Sequence, residues 1–209
     1  MIFRLTNDLI FPNPEMAEED GLLAVGGDLS TERLILAYQN GIFPWYSDDD
    51  PILWYSPHDR FVLFPDELKV SSSMRRVLNS NRFKITFDTC LADVIETCSV
   101  IERKEQDGTW ITEDMKAAYI QLHYEGHAHS IEIWQNDELV GGMYGVAVGD
   151  VFCGESMFSK VSNASKTAVI TLCQSGKYKL LDCQVHSEHM ESMGARMIDR
   201  KEYMAMLAK

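Results

Sequence analysis

Apolar residues never run long enough in this sequence to cross a bilayer, since no stretch approaches the roughly 18 residues a spanning helix needs. The opening MIFRLTNDLIFPNP meets charge and proline too early for a leader peptide. Cysteine is sparse and shows no pairing pattern. The five, at positions 90, 98, 153, 173 and 183, include no CxxC, which indicates neither a disulfide framework nor a zinc site and suits reduced structural thiols. A P-loop is missing, as is any metal-ligand spacing. Positive charge is short too. Lys and Arg number 19 against 32 Asp and Glu, a net charge of −13, so the chain cannot coat nucleic acid by bulk charge and any grip on it has to be local. The expectation is a soluble, cytoplasmic protein without metal or cofactor.

What is present suffices for a real core: 209 residues, 45% of them hydrophobic, enough for one large or two modest domains. Up to about Pro65 the sequence is rich in Pro, Gly, Trp and Tyr. One helix is marked there, STERLILAYQNG, with Ser30 as N-cap, Gly41 as stop and Leu34, Ala37 and Tyr38 as its apolar stripe. GIFPWYSDDDPILWYSP, with three prolines and five large aromatics, forbids any long regular element and reads as a compact aromatic loop module. Beyond it the pattern turns periodic. SSSMRRVLNS is a Ser-capped helix, FKITFD a strand, and LADVIETCSVI and TEDMKAAYIQLHYEG are helices, the second capped by Thr112 and stopped by Gly126. SIEIWQNDELVGGMYGVAVGDVFCGESMF gives three strands turning at Asn136-Asp137 and Gly149-Asp150. NASKTAVITLCQ is a helix, LLDCQV a strand, SEHMESMG a helix, and a final strand with a short tail ends the chain. The order predicts an α+β fold with a mixed sheet, divided into an N-terminal aromatic-rich α/β domain over 1–65 and a second domain over 66–209.

LLDCQV is unusual for holding two polar residues in an apolar strand. With a period of 2, Asp182 and Gln184 share one face while Leu181, Cys183 and Val185 share the other. On residue types alone this is an edge strand with a wetted outer face.

Eight ordered motifs take the reading further: GLLAVGGDL (21–29), GIFPWY (41–46), WYSPHDR (54–60), GTWIT (108–112), AHSIEIW (128–134), LVGGMYGVAVGDVFCGESMFS (139–159), NASK (163–166), and LLDCQV with His189 beyond it. From about residue 5 to about residue 203 the chain resembles the leucyl/phenylalanyl-tRNA-protein transferase family. GGMYG and FCGESMFS in series are its most specific marks. The QSGKYK connection before LLDCQV is shorter than the family usually has, and the chain ends soon after Tyr203, where many relatives continue.

The resemblance implies a GNAT-like acyltransferase fold for the second domain, with a central sheet that splays to admit an acyl donor. It implies transfer of Leu or Phe, and weakly Met, from aminoacyl-tRNA to the α-amino group of proteins beginning with Arg or Lys, marking them for N-degron proteolysis, by a monomer that needs no cofactor. It assigns Asp182 and Gln184 to the reaction centre, and Met143, Phe152 and Met157 to an apolar donor pocket. Glu155, read as sitting at a strand end, suits a cationic acceptor; the resemblance also assigns Ser156 to substrate binding, and His189, which matches a family position near the catalytic strand, to the same role or to support behind it. Trp45 and Trp110 match aromatics near the 3′ adenosine or the acceptor, and Arg75, Arg76 and Arg82, with Lys84, match a basic helix against the acceptor stem. Trp54 and Trp134 read as scaffold. An acetyl-CoA-dependent enzyme of the same fold would carry a glycine-rich pyrophosphate loop, but the corresponding SKVSNASKTAV has no glycine. A non-catalytic tRNA- or degron-binding module would have no use for Asp182 and Gln184 together.

Overall fold

The computed structural model describes residues 2–101 and 110–208, so Gly108 and Thr109 of the GTWIT motif lie outside the described residues. Short strands β1 (Phe3–Leu5), β2 (Leu22–Gly26), β3 (Phe43–Pro44) and β4 (Leu53–Tyr55) form a four-stranded sheet in the order β1-β2-β4-β3, with α1 (Thr31–Gln39) between β2 and β3. Proline and glycine keep β3 and β4 to two and three residues, as the aromatic loop module predicts. Leu34, Ala37 and Tyr38 are buried along α1, and Gly41 follows the helix at φ +67, a conformation that costs glycine little.

The remaining strands are β5 (Asp59–Leu63), β6 (Lys84–Phe87), β7 (Ala128–Gln135), β8 (Glu138–Val148), β9 (Val151–Ser159), β10 (Leu180–Gln184) and β11 (Arg196–Asp199), and they form one seven-stranded sheet in the order β11-β5-β10-β9-β8-β7-β6. Helices α2 (Ser72–Asn79), α3 (Leu91–Val100), α4 (Glu113–Tyr124), α5 (Ala164–Gln174), α6 (Glu188–Glu191) and α7 (Arg200–Leu207) complete the chain. The β7-β8 turn is made by Asn136 and Asp137, both at positive φ, the pair that a tight hairpin favours. Ser71 and Thr112 cap α2 and α4 by accepting from the N–H of Met74 and Met115. The fold is α+β with a mixed sheet, as the element order predicts.

Two results differ from expectation. The tail is not a tail: Asp199 caps α7 by accepting from the Lys201 N–H, and α7 buries Tyr203. LLDCQV is no edge strand either, because β10 lies between β5 and β9. Its Leu180 faces a core that joins α1, α3 and α4 to both sheets, and its Leu181 faces a second core built on α5. β5 brings the WYSPHDR segment into the large sheet, so the chain on either side of Pro65 shares that sheet. Among the described residues no helix is long and apolar enough to cross a membrane.

Candidate active site

β9 and β10 are parallel neighbours only over Val151–Cys153 and Leu180–Asp182. Past that point β9 continues through Ser159 while β10 ends at Gln184, so the sheet forks, which is the splay the resemblance predicts. A cavity of about 480 Å³ occupies the fork, inside the usual range of about 300–1,000 Å³ for small-ligand sites. A glycine seats α5, which carries the lining residue Ser165, against the sheet. A Cβ at Gly141 on β8 would come within 2.5 Å of the Ala164 side chain at the start of α5, so glycine is required there for α5 to sit against the sheet.

Most of the expected site residues meet in this cavity. Trp45, Trp110, Met143, Glu155, Ser156, Met157, Asp182, Gln184 and His189 all line it, with Phe43 and Pro44 beside Trp45. Trp45 is 40% exposed and packs edge-on to Tyr55. Phe152 does not line it: the ring is buried and packs on Tyr178, with centroids 5.1 Å apart. Phe152 lies opposite Leu181 where β9 still pairs with β10, below the point where the two strands part. Arg75 and Arg76 are exposed on α2, Arg82 in the connection that follows it and Lys84 at the start of β6, so the basic residues extend past the helix the resemblance implies, and all four lie away from the cavity lining. Arg82 stacks over Phe83. Trp54 is fully buried with its indole N–H on the Gly26 carbonyl, and Trp134 donates to the Thr86 hydroxyl.

Asp182 is 0% exposed and completely committed. Its Oδ1 accepts from Arg60 Nε at 2.9 Å and from the Gln184 backbone N–H at 2.8 Å; its Oδ2 accepts from Arg60 Nη2 at 2.8 Å and from the Tyr203 hydroxyl at 2.7 Å. Four donors fill the roughly four lone-pair sites of a carboxylate. Arg60 in turn lies between the Phe43 and Tyr203 rings and donates Nη1 to the Gly41 carbonyl. Burial opposes its charge, but Asp182 overrides that and raises the guanidinium pKa above the usual arginine value. One buried fork–fork pair therefore ties β5, β10, α7 and the Gly41–Phe43 turn together.

Gln184 reaches its place through a bulge. The pairing with β5 slips between Asp182 and Gln184, and Gln184 adopts φ +64, uncommon for a side chain of this kind and often found where function demands it. Simple alternation is thus broken at its end, and Val185 is exposed rather than packed with Leu181. The bulge turns the Gln184 N–H onto Asp182 and sends its Nε2 to Glu155 Oε1 at 2.7 Å.

Glu155 lies in the middle of β9, not at a strand end, and is 7% exposed. A second bulge, where β8 and β9 slip between Tyr144 and Gly145, accommodates it. Its Oε2 accepts from the Tyr119 hydroxyl at 2.9 Å, and Tyr119 is hydrogen-bonded to Tyr38. Burial pushes its carboxyl up to about 7, against the opposing pull of hydrogen bonds from Tyr38, Tyr119 and Gln184. His189, just inside α6, has a buried Nε2 with no hydrogen-bond partner among the described residues; burial, and then the Lys166 charge, lower its pKa.

Sequence reasoning missed Arg60, Tyr38, Tyr119 and Tyr203. Arg60 sat in a quoted motif, and its signal was a lone cation directly before the apolar run FVLF. The tyrosines offered no local signal beyond helical spacing.

Comparison with known proteins identifies the family of the chain. The sequence profile of the family described as leucyl/phenylalanyl-tRNA protein transferase matches residues 62–208, and that of the N-terminal domain of the same family matches residues 27–58. A leucyl/phenylalanyl-tRNA–protein transferase of Syntrophobacter fumaroxidans is 56% identical over all of this chain and 90% of its own length. That of Flavobacterium psychrophilum is 55% identical over 98% and 99%, and that of Shewanella baltica 50% over 95% and 86%. Solved structures are more distant: a GCN5-related N-acetyltransferase from Kribbella flavida aligns over 77% of this chain and 58% of its own with 8% identity and a TM-score of 0.39, too loose to say more. With matching profiles across both parts of the chain and half or more of its residues shared with near-full-length relatives, the chain belongs to the leucyl/phenylalanyl-tRNA-protein transferases, a family of tRNA-dependent aminoacyltransferases.

Proposed function

We propose that the chain moves Leu or Phe, and weakly Met, from aminoacyl-tRNA to the α-amino group of proteins beginning with Arg or Lys, marking them for N-degron proteolysis. It acts as a cytoplasmic monomer. The observation that carries this reading is a cavity whose lining sets Met143 and Met157 beside Glu155, Asp182 and Gln184. The two methionines give it an apolar wall, and methionine adapts to donors as different in shape as Leu and Phe. Such a wall separates donors by size only, by about 1–3 kcal/mol per methylene, which leaves room for Met. Phe152 acts from the core beneath.

The donor ester arrives already activated, so the enzyme's task is to hold amine against carbonyl in reacting geometry. Trp45 and Trp110 at the cavity offer faces for the 3′ adenosine, a stacking interaction worth about 1–3 kcal/mol. Gln184 orients the incoming amine. Asp182 steers it through its charge and fixes Gln184 by accepting its N–H. Ser156, His189 and Glu155 complete the contacts with donor and acceptor, and Arg75, Arg76 and Arg82 hold acceptor-stem phosphates, which position without reading sequence.

The test is incubation with leucyl-tRNA and a peptide beginning with Arg. Mass spectrometry should show the peptide heavier by one leucine residue, whereas a matched peptide with an acetylated N-terminus should stay unchanged. An unmodified Arg peptide would overturn the proposal.

A further inference from the structure

Two carboxylates reach the cavity, and only one can take a proton from a substrate. We propose that Glu155 is the group that accepts the proton of the acceptor's α-ammonium, while Asp182, held by Arg60 and Tyr203, is a positioning residue that sets Gln184. This rests on the aminoacyl-transfer reading above and deepens it.

The geometry separates the two roles. Asp182 has two charged and two neutral hydrogen bonds on its two oxygens, so a substrate proton finds no lone pair there and would have to displace the guanidinium. Glu155 accepts hydrogen bonds from Tyr38, Tyr119 and Gln184 and keeps about one lone-pair site open. All three partners are neutral. Gln184 bridges the carboxylates through two different donors, its N–H on Asp182 and its Nε2 on Glu155, and its Oε1 has no partner among the described residues. An ammonium that donates one N–H to that oxygen lies beside the Glu155 carboxylate.

In the step proposed, an N–H bond of the ammonium breaks, its electron pair stays on nitrogen, and the proton passes to Glu155. The nitrogen pair then forms the C–N bond while the carbonyl carbon loses its bond to the ribose oxygen. The second nitrogen proton goes to that departing oxygen, and Glu155 returns its proton to solvent. An α-amine titrates near about 7.7–8.0, close to the elevated value of Glu155, and acid and base so matched exchange a proton with little penalty. The groups facing Glu155 are Tyr38 on α1, Tyr119 on α4, Asp182 and Gln184 on β10 and Cys153 on its own strand. The buried cation of the site, Arg60 on β5, is committed to Asp182 and to the Gly41 carbonyl.

The test is the single-turnover rate of transfer from leucyl-tRNA to an Arg peptide, followed from about pH 6 to about pH 9. At about pH 7 Glu155→Gln should lose about 6–10-fold, because only about a tenth to a sixth of an α-amine is neutral there. That deficit should close to within about twofold as the amine titrates through about 7.7–8.0, because a neutral amine needs no base. Asp182→Asn should lose the same factor at every pH. Tyr119→Phe removes a hydrogen bond that favours the charged carboxylate, so the acid limb of its profile should move to higher pH. A Glu155→Gln deficit that stays constant with pH would overturn the proposal, as would an Asp182→Asn deficit that closes. If Glu155→Gln does not fold, a Tyr119→Phe limb that stays in place overturns it alone. Wild-type protein that transfers at no pH would overturn the transfer reading itself, a different failure.

Discussion

A buried carboxylate is either paired or pushed toward its neutral form, and the cavity holds one of each. Asp182 is the paired one, since Arg60 supplies two N–H groups in fork geometry; taking away one partner of such a pair strands the other in the core. Glu155, with only hydroxyl and amide donors, keeps its proton up to about pH 7. The folded-state value lies above the unfolded one, so the folded chain binds the extra proton between about 4.5 and 7, and stability from this group is full below that window and lost across it. Glu155→Gln keeps the shape and cannot ionise. Its stability relative to wild type should therefore rise from pH 4.5 to pH 8, by about 3 kcal/mol for a carboxyl raised from 4.5 to about 7 at about 1.4 kcal/mol per pH unit. Urea midpoints at the two pH values measure it, and a gap that does not grow with pH would mean that Glu155 ionises freely in the fold. Of these residues Asp182 was legible in the sequence, because a carboxylate inside LLDCQV breaks an apolar pattern. Arg60 was not, because its partner lies 122 positions away and its own neighbours, Ser-Pro-His-Asp, read as a turn.

At the level of elements, the fork of β9 and β10 creates the site and two bulges aim its side chains. The strands themselves were legible: the hairpin turn at Asn136-Asp137 and the glycines of GGMYG announce β7 and β8. Bulges are not, since a one-residue slip leaves residue types unchanged and only the partner strand reveals it. Helix α7 was legible in principle. Asp199 is a good cap, and Tyr203 and Leu207 fall at i and i+4, but eight residues at a chain end carry a weak periodic signal. On the apolar side of the fork, Met143 and Met157 face one another across β8 and β9 as a cross-strand pair. Met157→Trp narrows that slot with a rigid ring, so the rate with phenylalanyl-tRNA should fall about tenfold further than that with leucyl-tRNA, in line with about 1–3 kcal/mol of size discrimination. Rates measured with both donors, beside a melting curve, check it. Equal losses with a lowered melting temperature would assign Met157 to core packing.

At the scale of the whole molecule, a net charge of −13 repels the nucleic acid that the proposed reaction requires, and the means of binding must be confined to one region. Arg75, Arg76, Arg82 and Lys84 are the densest basic stretch, all four are exposed, and no ion pair among the described residues neutralises them. They do not line the cavity. In the proposed reaction grip and chemistry are therefore separate surfaces, and they should respond differently to the same change. Each arginine that contacts a phosphate releases condensed counterions on binding, so replacing one with Ala should make the logarithm of tRNA affinity fall less steeply with the logarithm of salt, by about 0.7–0.9 of a unit per contact. A 3′ aminoacyl-adenosine carries no acceptor stem. With it as donor the same variants should transfer within about twofold of wild type, since the contacts they lose are to phosphates it does not possess. Binding titrations at several salt concentrations and transfer rates with the two donors read the two surfaces independently. Losses that are equal with both donors would place these arginines in support of the fold or the reaction centre, and an unchanged salt slope would mean that the stem is held elsewhere on an otherwise acidic surface.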